Sequence, residues 1–410
     1  MKKFYITYLI LLLIIFLLPL KSLASSDFYK WSTLDLTAEV SAKLENADDD
    51  TTNPLNLDCG SAVLMEQHTG KVLYSYNSHQ KLRPASVTKL MSIYLIMEAI
   101  SSGKINYDTR IPCSENAESM GGSQIWLTTT ENLTVDEMLK AICVVSANDC
   151  VTAMAEYLGG TEANFVNMMN EKAKELGMDD TSFKNCHGID EDGHVMSSYD
   201  IAILSCKLLN DFPEITKYTT IYMDSLRDGK SSLVNTNKLV RNYSGCTGLK
   251  TGSTSQALYN LSASASRDGL DLVAVVMKSP TSKQRFNNCS QLLDYGFANF
   301  EYKSLIKKGD IIKSIPVQKG ITNSVDVIAD ADCGAIISKG NDVNIEQNVL
   351  LPDYISAPIN QNDVIGKVTF SLNNETISEC NLLSSNSVIK INFLNMESYN
   401  IKTWANLLRD

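Results

Sequence analysis

The chain has 410 residues, 44% of them hydrophobic and 20% charged, with a formal charge of −11. That length predicts two to three domains with ample core, and the ordinary composition predicts a soluble globular protein. The acidic balance argues against nucleic acid as a partner. It deepens to −14 once residues 1–24, with three lysines and no acids, are set aside (−11 − 3).

Residues 1–24 read as a secretory signal peptide: Lys2-Lys3, an apolar run from Phe4 to Leu20, then small residues at Ser22 and Ala24. The run is long enough that an uncleaved anchor is the alternative, and either reading puts the working part of the chain outside the cytoplasm. The ten cysteines are scattered without Cys-x-x-Cys or Cys/His ligand spacing, so no zinc site and no other metal or cofactor is expected. Export permits disulfides, but their pairing is left open. Residues 25–58 are polar, end in an acidic Asn-Pro stretch and predict a linker.

From residue 59 to 302 the pattern is that of a mixed domain. Ala62–Met65 and Val72–Tyr74 flank a turn at His68-Thr69-Gly70, which predicts a hairpin. Arg83-Pro84-Ala85-Ser86-Val87-Thr88-Lys89 then runs into a periodic apolar stretch that ends at Gly103. Proline suits a helix start, so Ser86 belongs in the first turn, with Lys89 one turn on and on the same face. Thr134 and Glu137 make a capping box for a helix carrying Met138, Leu139 and Ile142. Ser146-Ala147-Asn148 falls in the bend before the next helix (Val151 to Leu158), and a third helix closes at Gly177. The histidines at 187 and 194 lie in a Gly-containing loop and read as loop-structuring rather than metal-binding groups. After a helix over 199–209, Lys250-Thr251-Gly252 opens a hairpin that continues through Leu258–Ala265 to Leu270–Met277. Ser282 to Phe300 predicts a helix. Residues 303–394 turn to short β runs separated by Gly, Asn and Asp, a small β-rich domain. Residues 395–410 form a candidate amphipathic tail helix, suited either to a peripheral membrane contact or to packing on that domain.

A serine hydroxyl needs a base before it becomes a useful nucleophile, and an amine with a depressed pKa can supply one. Spacing alone does not single out Ser86, because Ser-x-x-Lys also occurs at Ser101, Ser304 and Ser387. What singles it out is the ordered set: Ser86-x-x-Lys89, then Ser146-x-Asn148, then the unique Lys250-Thr251-Gly252. With the flanking stretches Thr134 to Leu139, Val144 to Asp149, Leu176-Gly177-Met178 and Gly248-Leu249, the chain resembles the penicillin-recognising serine enzymes. Within them it resembles the low-molecular-mass penicillin-binding proteins, the serine-type D-alanyl-D-alanine carboxypeptidases.

That resemblance implies an α+β fold: a β-lactamase/transpeptidase-like domain with an antiparallel sheet and a helical cluster, followed by a small all-β domain. It implies that Ser86, Lys89 and Ser146 are catalytic, with Ser86 forming an acyl-enzyme, Lys89 its base and Ser146 a relay to the leaving group. Asn148, Lys250, Thr251, Gly252, Ser253, Thr254 and Arg285 would bind substrate, and the backbone N–H groups of Ser86 and Ser253 would form the oxyanion hole. The implied partners are peptidoglycan stem peptides, with β-lactam antibiotics as inhibitors, at the extracellular face of the membrane or in the wall. Two departures stand out: Asn185-Cys186-His187-Gly188 where the family usually has Asn-Pro-His-Gly, and the small Ser253 after Lys-Thr-Gly. A β-lactamase is the competing hydrolase, but no Glu-x-x-Leu-Asn follows Ser146 at the expected distance and such an enzyme needs no residues 303–410. A non-catalytic, penicillin-sensing wall-binding protein is the competing non-enzyme, and the complete set of catalytic side chains argues against it.

Overall fold

The computed structural model describes residues 50–340, 344–372 and 374–392. The predicted signal peptide, most of the polar linker and the tail helix lie outside the described residues.

The core is a five-stranded antiparallel sheet built from β1 (Ser61–Glu66), β2 (Val72–Tyr76), β3 (Cys246–Thr254), β4 (Leu258–Arg267) and β5 (Leu270–Ser279), in the order β2-β1-β5-β4-β3. Successive side chains of a strand point to opposite faces, and β1 uses both. Val63 and Met65 enter one core with Val273, Val275 and Met277; Ala62 and Leu64 enter another with Leu272, Ala274 and Val276. Every residue of β1 is buried, Glu66 included. Its carboxylate accepts the backbone N–H groups of His68 and Thr69 at 3.2 and 2.7 Å, which keeps a buried charge satisfied and closes the predicted turn.

The first core is completed by helices α1 (Lys89–Ser101), α2 (Val135–Val144), α3 (Asn148–Gly159), α4 (Glu162–Glu175) and α5 (Ser198–Asp211). Helix α1 is buried nearly all round, as its run of apolar residues dictates, and each fully buried Leu, Ile or Met contributes about 2 kcal/mol. The predicted capping box is present at α2, where Thr134 N donates to Glu137 at 2.8 Å and Glu137 N donates to Thr134 Oγ1 at 3.3 Å. Helix α6 (Ser282–Asn299) covers the opposite face with Phe286, Leu292 and Leu293.

Asp50 to Asp58, read from sequence as the end of the linker, is docked on this domain. Asp50 accepts from the backbone N–H groups of Asn77 and Ser78 at 2.6 and 2.7 Å, and Leu57 is buried.

Beyond α6 the regular elements of the described residues are all strands. A six-stranded sheet orders Glu346–Leu350, Val364–Leu372, Glu375–Ser384, Ser324–Ala329, Ile311–Gln318 and Ile355–Ser356, while Phe300–Ile306 pairs with Cys333–Ser338. Val327, Val368, Phe370 and Leu382 form its centre. Ile336 joins the cluster under α6, so the two folds share apolar surface.

Candidate active site

Ser86 lies in a single 3-10 turn, Ala85–Thr88, that leads directly into α1. This is tighter than the α-helical turn predicted, and it leaves the serine half-buried at the edge of β3. Ala85 holds a positive φ of 50° against the loop 183–196. There Gly188 (φ 91°) approaches so closely that a Cβ would stand 1.9 Å from the Ala85 carbonyl oxygen. Gly252 plays the matching part on the other side: its Cβ would stand 3.0 Å from the Ser86 nitrogen. Two glycines thus let a loop and a strand close on the serine's turn.

Lys89 is fully buried, and its Nζ has three neighbours: Ser86 Oγ at 3.0 Å, Asn148 Oδ1 at 2.6 Å and the His187 carbonyl oxygen at 2.8 Å. Burial, reinforced by the charge of Lys250, pushes its pKa well below the usual lysine value. A neutral amine has two N–H bonds and one lone pair. The His187 carbonyl can only accept, and the Asn148 amide is turned so that its oxygen also accepts, because Nδ2 donates to Gly121 O at 2.7 Å. Both N–H bonds are therefore used, and the lone pair faces the Ser86 hydroxyl.

Lys250, also fully buried, projects from β3 to Ser146 Oγ at 2.8 Å and the Thr251 carbonyl at 2.9 Å. Burial lowers its pKa to about 7. Ser146 reaches it from the bend between α2 and α3 by taking up a positive φ of 65°, a conformation a serine adopts only under constraint. Thr251 Oγ1 donates to Thr236 Oγ1 at 2.8 Å, and Thr254 Oγ1 accepts the Ala257 N–H at 2.9 Å in the turn after β3. Ser253 is exposed beside them. Arg285 is placed behind this strand: its guanidinium lies 3.2 Å from the Gly252 carbonyl and rests on the Tyr259 and Phe286 rings. It braces the strand in this structure.

The structure therefore brings Ser86, Lys89, Ser146, Asn148 and Lys250 together, with Thr251, Gly252, Ser253 and Thr254 along one edge. The two loop histidines are spent on structure. His194 Nε2 pairs with Thr88 Oγ1 at 2.8 Å, His187 Nδ1 accepts the Ile189 N–H at 3.2 Å, and burial lowers both rings, to about 4 and about 3, so they are neutral.

Several supporting groups were not read from sequence. The His187 carbonyl holds the base. Asp149, buried next to Asn148, accepts the N–H groups of Ile125 and Leu127 at 3.0 and 2.9 Å and so fixes the facing loop. Arg227, paired with Glu131 at 2.6 Å, holds the Ile125 carbonyl of the same loop. Asn237 Nδ2 donates to the Gly248 carbonyl at 2.9 Å at the start of β3. Of these, only the Asn148-Asp149 adjacency carries a local hint.

A half-buried serine beside a buried lysine, a second buried lysine and an open edge strand define a serine acyl-transfer enzyme. Comparison with known proteins specifies which. Residues 48–281 match the family described as D-alanyl-D-alanine carboxypeptidase, and residues 300–390 match the penicillin-binding protein 5 C-terminal domain. The D-alanyl-D-alanine carboxypeptidase DacF of Bacillus subtilis is 40% identical over 86% of this chain and 92% of its own length. DacC of Escherichia coli is 30% identical over 83% and 87%. Among solved structures, penicillin binding protein 5 from Haemophilus influenzae superposes with a TM-score of 0.70 at 32% identity, covering 83% of this chain and all of that one. Penicillin-binding protein D2 from Listeria monocytogenes, solved with ampicillin bound, gives 0.55 at 29% identity over 60% of this chain and all of that one. The chain belongs to the D-alanyl-D-alanine carboxypeptidase family of low-molecular-mass penicillin-binding proteins, serine-type hydrolases.

Proposed function

We propose that this enzyme removes the terminal D-alanine from peptidoglycan stem pentapeptides through an acyl-enzyme on Ser86. The observation that carries the assignment of roles is the Lys89 amine, buried and aimed at Ser86 Oγ from 3.0 Å. Ser86 Oγ attacks the carbonyl between the two D-alanines as its proton passes to Lys89. The oxyanion sits at the Ser86 and Ser253 backbone N–H groups, where an exposed Ser253 beside a half-buried Ser86 leaves room for a substrate carbonyl. Lys250 in its charged form meets the substrate's terminal carboxylate, flanked by Thr251 and Thr254. Ser146, 2.8 Å from Lys250, passes a proton to the leaving amine and takes back the one Lys89 received from Ser86, which leaves Lys89 neutral again. Water then attacks the ester, with Lys89 taking its proton and returning it to Ser86 Oγ as the ester bond breaks. A β-lactam enters the same path and stops at the ester.

Residues 59–302 carry this chemistry, and the β-rich residues 303–394 lie outside it. The lysines and apolar run of residues 1–24 support export by a signal peptide, and work on wall peptides connects the enzyme with cell shape. The spacing of Ile401, Trp404, Ala405 and Leu408 in the sequence supports a peripheral contact with the outer face of the membrane. Release of D-alanine from a muramyl pentapeptide tests the reading. Wild type releases it and Ser86→Ala does not. Peptide binding without release by the wild type overturns the enzymatic role.

A further inference from the structure

The groove has a direction set by β3. Lys250 stands at one end, Gly252 lies against Ser86, and the strand runs on through Thr254 to a turn at Gln256 and Ala257. A strand advances about 3.3 Å per residue, so this turn lies roughly 10 Å beyond Ser253. A cavity of about 280 Å³ opens there, walled by Lys81, Arg83, Lys278 and Gln256 among others. Three of those four side chains are cations, in a chain of net charge −11.

Two of the cations are partly neutralised: Lys81 lies 3.6 Å from Asp180, and Arg83 lies 2.9 Å from the fully exposed Asp192. Lys278 is exposed and makes no ion pair or side-chain hydrogen bond among the described residues. Its backbone is held at a positive φ of 58°, where a lysine is seldom found. The support is a single buried amide. Asn260, 1% exposed, accepts the Lys278 N–H at 2.7 Å and donates to the Arg83 carbonyl at 2.9 Å. Asn260 is also the cross-strand partner of Gly252. Two cationic residues are thus fixed by their backbones to β4, the strand paired with the one that positions the substrate.

We propose that this cavity binds a carboxylate of the acyl-donor peptide, on a residue one or two positions before the D-alanyl-D-alanine end, and so gives the enzyme a preference for acidic donor chains. The inference rests on the proposed function, in which the donor lies along β3 with its terminal carboxylate at Lys250. A carboxylate fits because the unpaired charge is a lysine ammonium with three free donors, beside an Arg83 guanidinium whose acidic partner lies in open water. Exit of the chain past Gln256 puts the upstream residues, rather than the leaving D-alanine, at the cavity.

The test compares kcat/KM for D-alanine release from acetylated tetrapeptides ending in D-Ala-D-Ala, paired as Glu against Gln at each of the two preceding positions. A partly exposed charge pair predicts a preference for Glu of about fivefold at one of them in wild type. The preference should fall to parity in Lys278→Gln, survive in Lys278→Arg and shrink in high salt. Equal rates for Glu and Gln peptides in wild type overturn the subsite while leaving the proposed function standing. So does a preference that persists in Lys278→Gln, or a fall in the Gln-peptide rate as large as that in the Glu-peptide rate, which marks a structural role. Release from none of the peptides by wild type overturns the proposed function and the subsite with it.

Discussion

Asn148 takes one of the two N–H bonds of Lys89 and is itself oriented by the Gly121 carbonyl, so substitutions there separate holding the base from setting its charge. Asn148→Ala leaves a buried amine short of an acceptor and free to turn from Ser86, and D-alanine release should fall about a hundredfold. Asn148→Asp keeps the shape but adds a negative charge beside Lys89, which favours the ammonium. Its activity at neutral pH should be lower still and should recover as pH rises, which Asn148→Ala should not do. Rate profiles of the two variants distinguish these outcomes. At this scale the sequence was informative where chemistry resides in side chains. Ser86, Lys89, Ser146, Asn148 and Lys250 are picked out by the order in which their three motifs follow one another. The His187 carbonyl does not, because every residue carries one and only the fold selects which carbonyl faces the amine.

The elements around the serine are held by close backbone approach. Gly188→Ala places a methyl group inside the Ala85 carbonyl at a positive φ, so it should cost on the order of 3 kcal/mol and abolish β-lactam acylation. Gly103→Ala, at a similar φ after α1 but with nothing within 4 Å, should cost only about 1 kcal/mol and leave acylation intact. Urea midpoints and acylation rates measured side by side check both. The helices and the β3–β5 strands were readable because apolar periodicity and capping residues lie within the segments that use them. The docking of loop 183–196 onto the Ala85–Thr88 turn was not, since no local pattern encodes which distant turn a glycine must admit. That turn, a 3-10 one, lies between two close backbone approaches, at Gly188 and Gly252, which the sequence around Ser86 does not contain.

In the whole molecule, the proposed catalytic groups all precede residue 300, yet Ile336 and Phe300 pack into the cluster under α6, and Lys71 Nζ reaches the Ile336 carbonyl at 3.4 Å. Ending the chain at residue 299 uncovers that apolar patch. The truncated protein should melt several degrees lower while still being acylated by penicillin at Ser86. A soluble truncated protein that is not acylated would show that the β-rich part shapes the site. The α+β layout followed from the resemblance and the β-rich C-terminal part from the shift in composition, but five of its eight described strands were missed, three of them for reasons their sequences show. Glu346–Leu350 is largely exposed on both faces, so it shows no alternation to read; Cys333–Ser338 is short; and Glu375–Ser384 is polar over its first half.

In the proposed reaction Lys89 is a neutral base at working pH because it is buried beside a second lysine. Lys89 works without its proton, so acylation rises with pH through its lowered pKa. Lys250 works with its proton, so acylation falls as pH climbs past about 7. The measurement is the rate of Ser86 acylation by benzylpenicillin from pH 4 to pH 10.5, with the adduct located by mass spectrometry. The expected profile is a bell with both limbs well below the ordinary lysine value of about 10.4. A rate that keeps rising through pH 9 and 10 would contradict it.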